Sequence, residues 1–246
     1  MPTKRQQSSG RRLMVAVGAW IGLSVAVGFA TLVVANAVAP DWAADPDNLA
    51  VVITTEVYAL LVASMLLIVG GGGRDRSALG LRSVSSRDIG MGLAALAATY
   101  TISAVIYVVV DLVASPDPSA MDIILGIGSD GGRLADAGFW AIALIFLRIL
   151  ILVPLGEELL FRGALFSWIR RRLSAWMTIG ISAVLFAVIH GFPIILPAAF
   201  VAGLTLGWVR ERTGSVIPGI VAHSVNGIVL IAVSRVVTDW TARLPF

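Results

Sequence analysis

Glu157 and Glu158 stand side by side in the stretch Gly156-Glu157-Glu158-Leu159-Leu160-Phe161-Arg162-Gly163, inside an apolar run that starts near Phe139. An acidic side chain at the centre of a membrane span costs about 2.5–3.5 kcal/mol, so such residues face an interior or a wet cavity and carry a function. A helix end reaching the interface would account for one carboxylate. It does not account for two, with apolar character resuming at once in Ala164, Leu165, Phe166 and Trp168. Arg162 follows Glu158 by four residues, the favourable acid-to-base order on a helix, and neutralises charge there. The chain has two histidines, His190 and His223, both in apolar stretches. Asn226 follows His223 by three residues and shares its helix face.

These groups make a chemistry possible. A glutamate can serve as general base towards water, and imidazole and amide groups can donate to a developing oxyanion. Together they are the parts for hydrolysing an amide with activated water, with Glu157 as base and Glu158 as the arginine-held partner. A thiol nucleophile is excluded by the absence of cysteine. Neither a G-x-S-x-G elbow nor an H-E-x-x-H zinc helix occurs. A second route stays open: Glu157, His190 and His223 are two histidines and a carboxylate, a set that can hold a divalent metal such as zinc.

The composition says where such groups must work. Apolar residues make up 58% of the 246 and charged residues 13%, against about 45–50% and about 25% in soluble domains. The expected fold class is all-α, a polytopic transmembrane helical bundle of about seven spans, each taking about 20 apolar residues. The net charge of +3 is no sign of a nucleic-acid partner, because the arginines sit in short loops between spans, where they set topology. Lysine occurs once, at Lys4. The richness in Ala, Val, Gly and Arg fits a bacterium of high genomic GC, and hence a multi-pass protein of the cytoplasmic membrane.

Residues 1–12 are polar and basic, and residues 13–39 are apolar. That run exceeds the apolar core of about 7–15 residues in a cleavable signal peptide. It reads as a retained first span with a cytoplasmic N-terminus. Residues 40–48 hold Asp41, Asp45 and Asp47 without a cation and suit the outside. Residues 49–73 form the second span, with Glu56 reaching the outer interface. The Arg-rich residues 74–88 return to the cytoplasm. Residues 89–114 are the third span, with Asp111 near its outer end, and residues 115–137 an outer loop in which residues 123–127 are too short to span and read as interfacial.

The fourth run has two readings. Ending at Leu160, it puts the glutamates at the inner surface. Continuing to Arg170-Arg171-Arg172, it buries them, with Glu157 about 20 Å above that surface at about 1.5 Å per residue. Pro154 and Gly156 just before would kink it and open space. Arg148 either faces the same interior or reaches outward. The fifth run goes from Ala175 towards Gly191, the sixth covers residues 197–208 and the seventh residues 216–237. On these spans His190 lies about 24 Å and His223 about 12–17 Å above the inner surface, at a depth similar to that of Glu157. Two divisions follow: residues 1–137, N-terminal transmembrane helices and loops, and residues 138–238, the core.

These residues resemble the CPBP family of intramembrane proteases, which includes type II CAAX prenyl endopeptidases and bacteriocin-processing or immunity proteins. Glu157, Glu158 and Arg162 match its Glu-Glu-x-x-x-Arg motif, and Phe186 and His190 its Phe-x-x-x-His motif. His223 matches the third, where Asn226 comes at three residues rather than the usual four and Gly227 stands at four. The resemblance covers roughly residues 139–237. It implies a C-terminal four-helix catalytic core and an intramembrane endopeptidase in which Glu157 activates water and His190, His223 and Asn226 support the tetrahedral intermediate. Metalloprotease and glutamate-only descriptions compete in the family, so the implied cofactor is either none or a divalent metal. The partners are the lipid bilayer and a peptide or membrane-protein substrate. Two other classes are a catalytically silent binding or immunity protein of the same fold, and a proton-coupled transporter, for which the internal repeats common in transporters are missing.

Overall fold

The structure is a computed structural model and describes residues 4–72, 75–114, 139–191 and 195–241 of the 246. Among the described residues it is helical, with no strand. Among the described residues seven longer helices follow the apolar runs: α1 (Lys4–Val38), α2 (Pro46–Ser64, continued by a wide π turn at Met65–Val69), α3 (Ser86–Ala114), α4 (Phe139–Arg170), α5 (Ala175–Ile189), α6 (Leu196–Thr213) and α7 (Ile217–Thr241). The readings of residues 115–137 as an outer loop and of 123–127 as interfacial lie outside the described residues, as does the side chain of Asp111.

Local signals start and stop these helices. Asp45 caps α2 by accepting from the Asp47 backbone at 2.9 Å, with Pro46 at the first helical position. Ser85 and Asp88 form a capping box at the start of α3, in which the Asp88 carboxylate takes both the backbone N–H and the hydroxyl of Ser85 at 2.8 Å. Ser174 opens α5, and Gly214, in the left-handed conformation, ends α6.

Four of the helices are long and apolar enough to cross a membrane, at Gly10–Val38, Pro46–Val69, Ser86–Val110 and Phe139–Arg170. Ala175–Ile189 and Ile217–Val233 are apolar but shorter, and α6 carries Arg210, Glu211 and Arg212 near its end. Large apolar side chains such as Val25 and Phe29 on α1, Val105 and Val108 on α3, and Trp176 and Val188 on α5 are exposed. Apolar surface of that extent marks lipid contact rather than a water-facing exterior. The chain is a multi-pass membrane protein.

The chain divides into two units, one of residues Met1–Arg82 with Ala137–Arg172, the other of Ser83–Asp136 with Leu173–Phe246. Each takes elements from both sides of residue 137. In the first unit Trp20 on α1 donates its indole N–H to the Val57 carbonyl on α2 at 2.9 Å. Glu56 accepts from the Thr31 hydroxyl at 2.8 and 3.0 Å, so it is engaged between α1 and α2 rather than simply reaching for the interface. Leu61, Met65, Leu79, Ile145, Leu159 and Phe166 fill this unit's core. In the second unit α5 and α6 run so close that a Cβ added at Gly203 would stand 2.6 Å from the Ala183 Cα. Thr99 on α3 and Thr205 on α6 share a hydrogen bond of 2.8 Å. Ile179, Phe186, Val209 and Ala222 are buried here.

Candidate active site

The helix α4 continues without a break past the glutamates to Arg170, so the longer of the two readings of the fourth run holds. It is not uniform. The backbone widens into π turns at Arg148–Leu152 and Leu159–Leu165, on either side of a short α segment, Val153–Glu158. Pro154, the second residue of that segment, has no N–H for the carbonyl four residues earlier, which favours the local rearrangement. Single wide turns of this kind recur at functional sites.

The side chains of the first unit's motif are closed to solvent: Glu157 is 4% exposed, Glu158 0% and Arg162 1%. Arg162 Nη1 donates to Glu158 Oε1 at 2.8 Å, the pairing expected from the four-residue spacing. Glu157 is engaged differently. The phenol of Tyr58, on α2, donates to its Oε1 at 2.9 Å. Gly156 permits this approach, because a Cβ there would stand 2.9 Å from Leu61 Cδ2 and 3.5 Å from Tyr58 Cδ1. Arg148 is buried and donates to the Thr54 hydroxyl at 2.6 Å, so it points into the unit rather than outward.

The second unit holds His190, His223 and Asn226. His190 is the C-cap residue of α5, where Gly191 adopts a positive φ of 71° and lets the chain leave the helix. Its Nδ1 lies 2.7 Å from the Phe186 carbonyl oxygen. A carbonyl only accepts, so Nδ1 carries the hydrogen, and in the neutral ring Nε2 keeps its lone pair. The Phe186 ring is 4.7 Å from the His190 ring, tilted, and 6.5 Å from that of His223, edge-on. The phenylalanine of the second motif thus packs against both imidazoles. Asn226 accepts from the phenol of Tyr100, on α3, through Oδ1 at 2.7 Å.

Two residues escaped the sequence reading. Tyr58 and Tyr100 lie in helices without a recognisable motif, and a tyrosine in an apolar span is unremarkable by composition. The structural role of Phe186 was equally hidden, since ring contacts between α5 and α7 are not written in spacing.

The geometry bears on both catalytic routes. Glu157 is engaged by a phenol and Glu158 by a guanidinium, so the two adjacent carboxylates have different environments. An amide whose oxygen is occupied keeps both Nδ2 hydrogens for an acceptor. The His190 arrangement, with Nδ1–H on a carbonyl, is also the orientation that metal-binding histidines adopt, so this residue fits a metal as well as an acceptor role. As a donor through Nε2 it must be the imidazolium.

Residues 139–229 match the family described as type II CAAX prenyl endopeptidase Rce1-like. Among curated proteins, the UPF0177 protein YxdF of Lactococcus lactis subsp. lactis (strain IL1403) is 37% identical over 75 residues, 30% of this chain and 41% of that protein. The chain therefore covers about two fifths of that relative's length. No solved structure matches. The segment of residues 139–229, which contains Glu157, Glu158, Arg162, His190, His223 and Asn226, is similar to the Rce1-like type II CAAX prenyl endopeptidases, the relationship that its three ordered motifs implied.

Proposed function

We propose that this chain is an intramembrane endopeptidase of the CAAX-protease type, which hydrolyses a peptide bond in a peptide or membrane-protein substrate with water activated by Glu157. The observation that carries this reading is the pair of adjacent buried carboxylates with different partners, Glu158 on Arg162 at 2.8 Å and Glu157 on the Tyr58 phenol at 2.9 Å. The family match over residues 139–229 supports it. Glu157 takes a proton from water, and the water oxygen attacks the carbonyl carbon of the scissile bond. The charge that develops on the carbonyl oxygen is met by N–H donors, for which Asn226 Nδ2, His223 and the His190 imidazolium are the candidates. Glu157 then returns its proton to the leaving nitrogen as the C–N bond breaks.

In the metal-dependent version, Glu157, His190 and His223 would hold a divalent ion such as zinc, which when bound supplies a Lewis acid for the water. The direct glutamate version is preferred, because a neutral phenol on Glu157 suits a base and accounts for the tyrosine. The basic residues Lys4, Arg5, Arg11 and Arg12, around the start of the first span, favour a cytoplasmic N-terminus in the cell membrane.

The experiment compares protein termini in membranes of cells producing the native chain or its Glu157→Gln variant at equal levels. New termini are expected only with the native chain. The same termini in both would rule out Glu157 as the base, and their absence from both would remove the proteolytic reading.

A further inference from the structure

The two tyrosines that touch the motif residues lie outside residues 139–229, on α2 and α3. We infer that Tyr58 and Tyr100 are positioning residues of the proposed protease, Tyr58 for Glu157 and Tyr100 for Asn226, so that the N-terminal spans contribute to catalysis and not only to anchorage. The inference rests on the endopeptidase reading above.

Three residues on one face of α2, Thr54, Tyr58 and Leu61, meet α4 at successive turns. Thr54 receives Arg148, Tyr58 donates to Glu157, and Leu61 lies over Gly156. The ring of Tyr58 would pack equally well as phenylalanine, so the hydroxyl needs a reason. Its partner is Glu157 Oε1. A phenol is suited to that partner because it donates one hydrogen bond without a full charge. It can fix the rotamer of a carboxylate while leaving the group able to take a proton. An arginine in the same place would form the stronger ion pair seen at Glu158.

Tyr100 acts on the other half of the chemistry. Its hydroxyl occupies Asn226 Oδ1 at 2.7 Å, which sets the amide so that Nδ2 is the end available to an oxyanion. Without it, the amide can turn over and present oxygen, which repels the developing charge. The same bond supports a role for Asn226 at three residues from His223, where the family pattern has four.

The test uses the full chain in liposomes and a quenched fluorescent peptide spanning a cleavage site found by the comparison of termini. Folded protein is quantified by size exclusion and tryptophan fluorescence, and kcat is taken per folded molecule. Tyr58→Phe and Tyr100→Phe are each expected to lower kcat about 10–100-fold, the usual cost of removing a group that orients a catalytic one, with KM within about twofold of the native value. Thr54→Val and Thr99→Val remove neighbouring hydrogen bonds of the same two helices and are expected to leave kcat within about twofold. Para-aminophenylalanine at position 58 or 100 keeps the ring and a neutral donor and is expected to restore part of kcat. A native kcat in a phenylalanine variant overturns the role of that tyrosine. Equal losses in the threonine variants, or a phenylalanine variant that yields no folded protein, assign the hydroxyl to stability and overturn it too. If cleavage depends on Glu157 while both phenylalanine variants keep full kcat, only this inference fails. If no cleavage depends on Glu157, the endopeptidase reading fails and takes this inference with it.

Discussion

Arg162 and Glu158 form an ion pair at 2.8 Å with both side chains closed to solvent, one helical turn apart on α4. A buried pair adds little net stability compared with apolar residues, but removing one member strands the other charge and costs about 3–5 kcal/mol. Arg162→Met should therefore lower the melting temperature sharply in detergent. The double variant Glu158→Gln with Arg162→Met should melt above the Arg162→Met single variant, because it leaves no stranded carboxylate. Equal melting of the single and double variants would show that the two residues are not coupled.

Asn226 is the candidate oxyanion donor whose neutral amide needs no proton transfer. Removing one such donor typically costs about 10²–10³ in kcat. Asn226→Ala should show that loss in the peptide assay with KM little changed and with normal insertion. A variant with native turnover would exclude the amide from the reaction.

Phe186 touches both imidazole rings from a buried position. Phe186→Ala should destabilise the second unit by about 3–5 kcal/mol, the usual range for deleting a core aromatic. Phe186→Leu keeps more of the volume, so its folded yield should recover while turnover stays low, because the rings lose their common support. Full turnover in the leucine variant would reduce Phe186 to filler.

Gly203 faces the backbone of Ala183, and an added Cβ would lie 2.6 Å from its Cα. Backbone cannot swing aside as a side chain can. Gly203→Ala should cost about 1–3 kcal/mol, the range for overpacking, and appear as a lower melting temperature of the purified protein. An unchanged melt would mean that α5 and α6 separate freely.

Metal dependence has a direct readout. Prolonged chelation is expected to leave peptide cleavage unchanged if Glu157 activates water itself. Loss on chelation, restored by zinc and not by buffer alone, would make Glu157, His190 and His223 metal ligands.

Much of this was legible in the chain itself. Apolar runs are long and uniform, so their number and the helical class follow from hydropathy, and a carboxylate or histidine inside one stands out because burial is costly. The i to i+4 relation of Glu158 and Arg162 is local, and helix geometry alone brings such residues together. The two readings of the fourth run were not separable by composition, because a kinked span and a terminated one look alike in sequence. Likewise Arg148 could point either way, and only the Thr54 hydroxyl on α2 shows that it points inward.

The sequence by itself determined that this is a multi-pass helical membrane protein, and it singled out Glu157, Glu158, Arg162, His190, His223 and Asn226 as polar groups inside apolar runs. Spacing within one helix and the cost of burying charge are properties of short segments. Only the tertiary structure decided which neighbours those residues have: Tyr58 on Glu157, Tyr100 on Asn226, and Phe186 against both histidines. Tyr58 and Glu157 are 99 positions apart and Tyr100 and Asn226 are 126 apart. No periodicity links residues at that range, and helix packing, set by close approaches such as Leu61 on Gly156, brings them together.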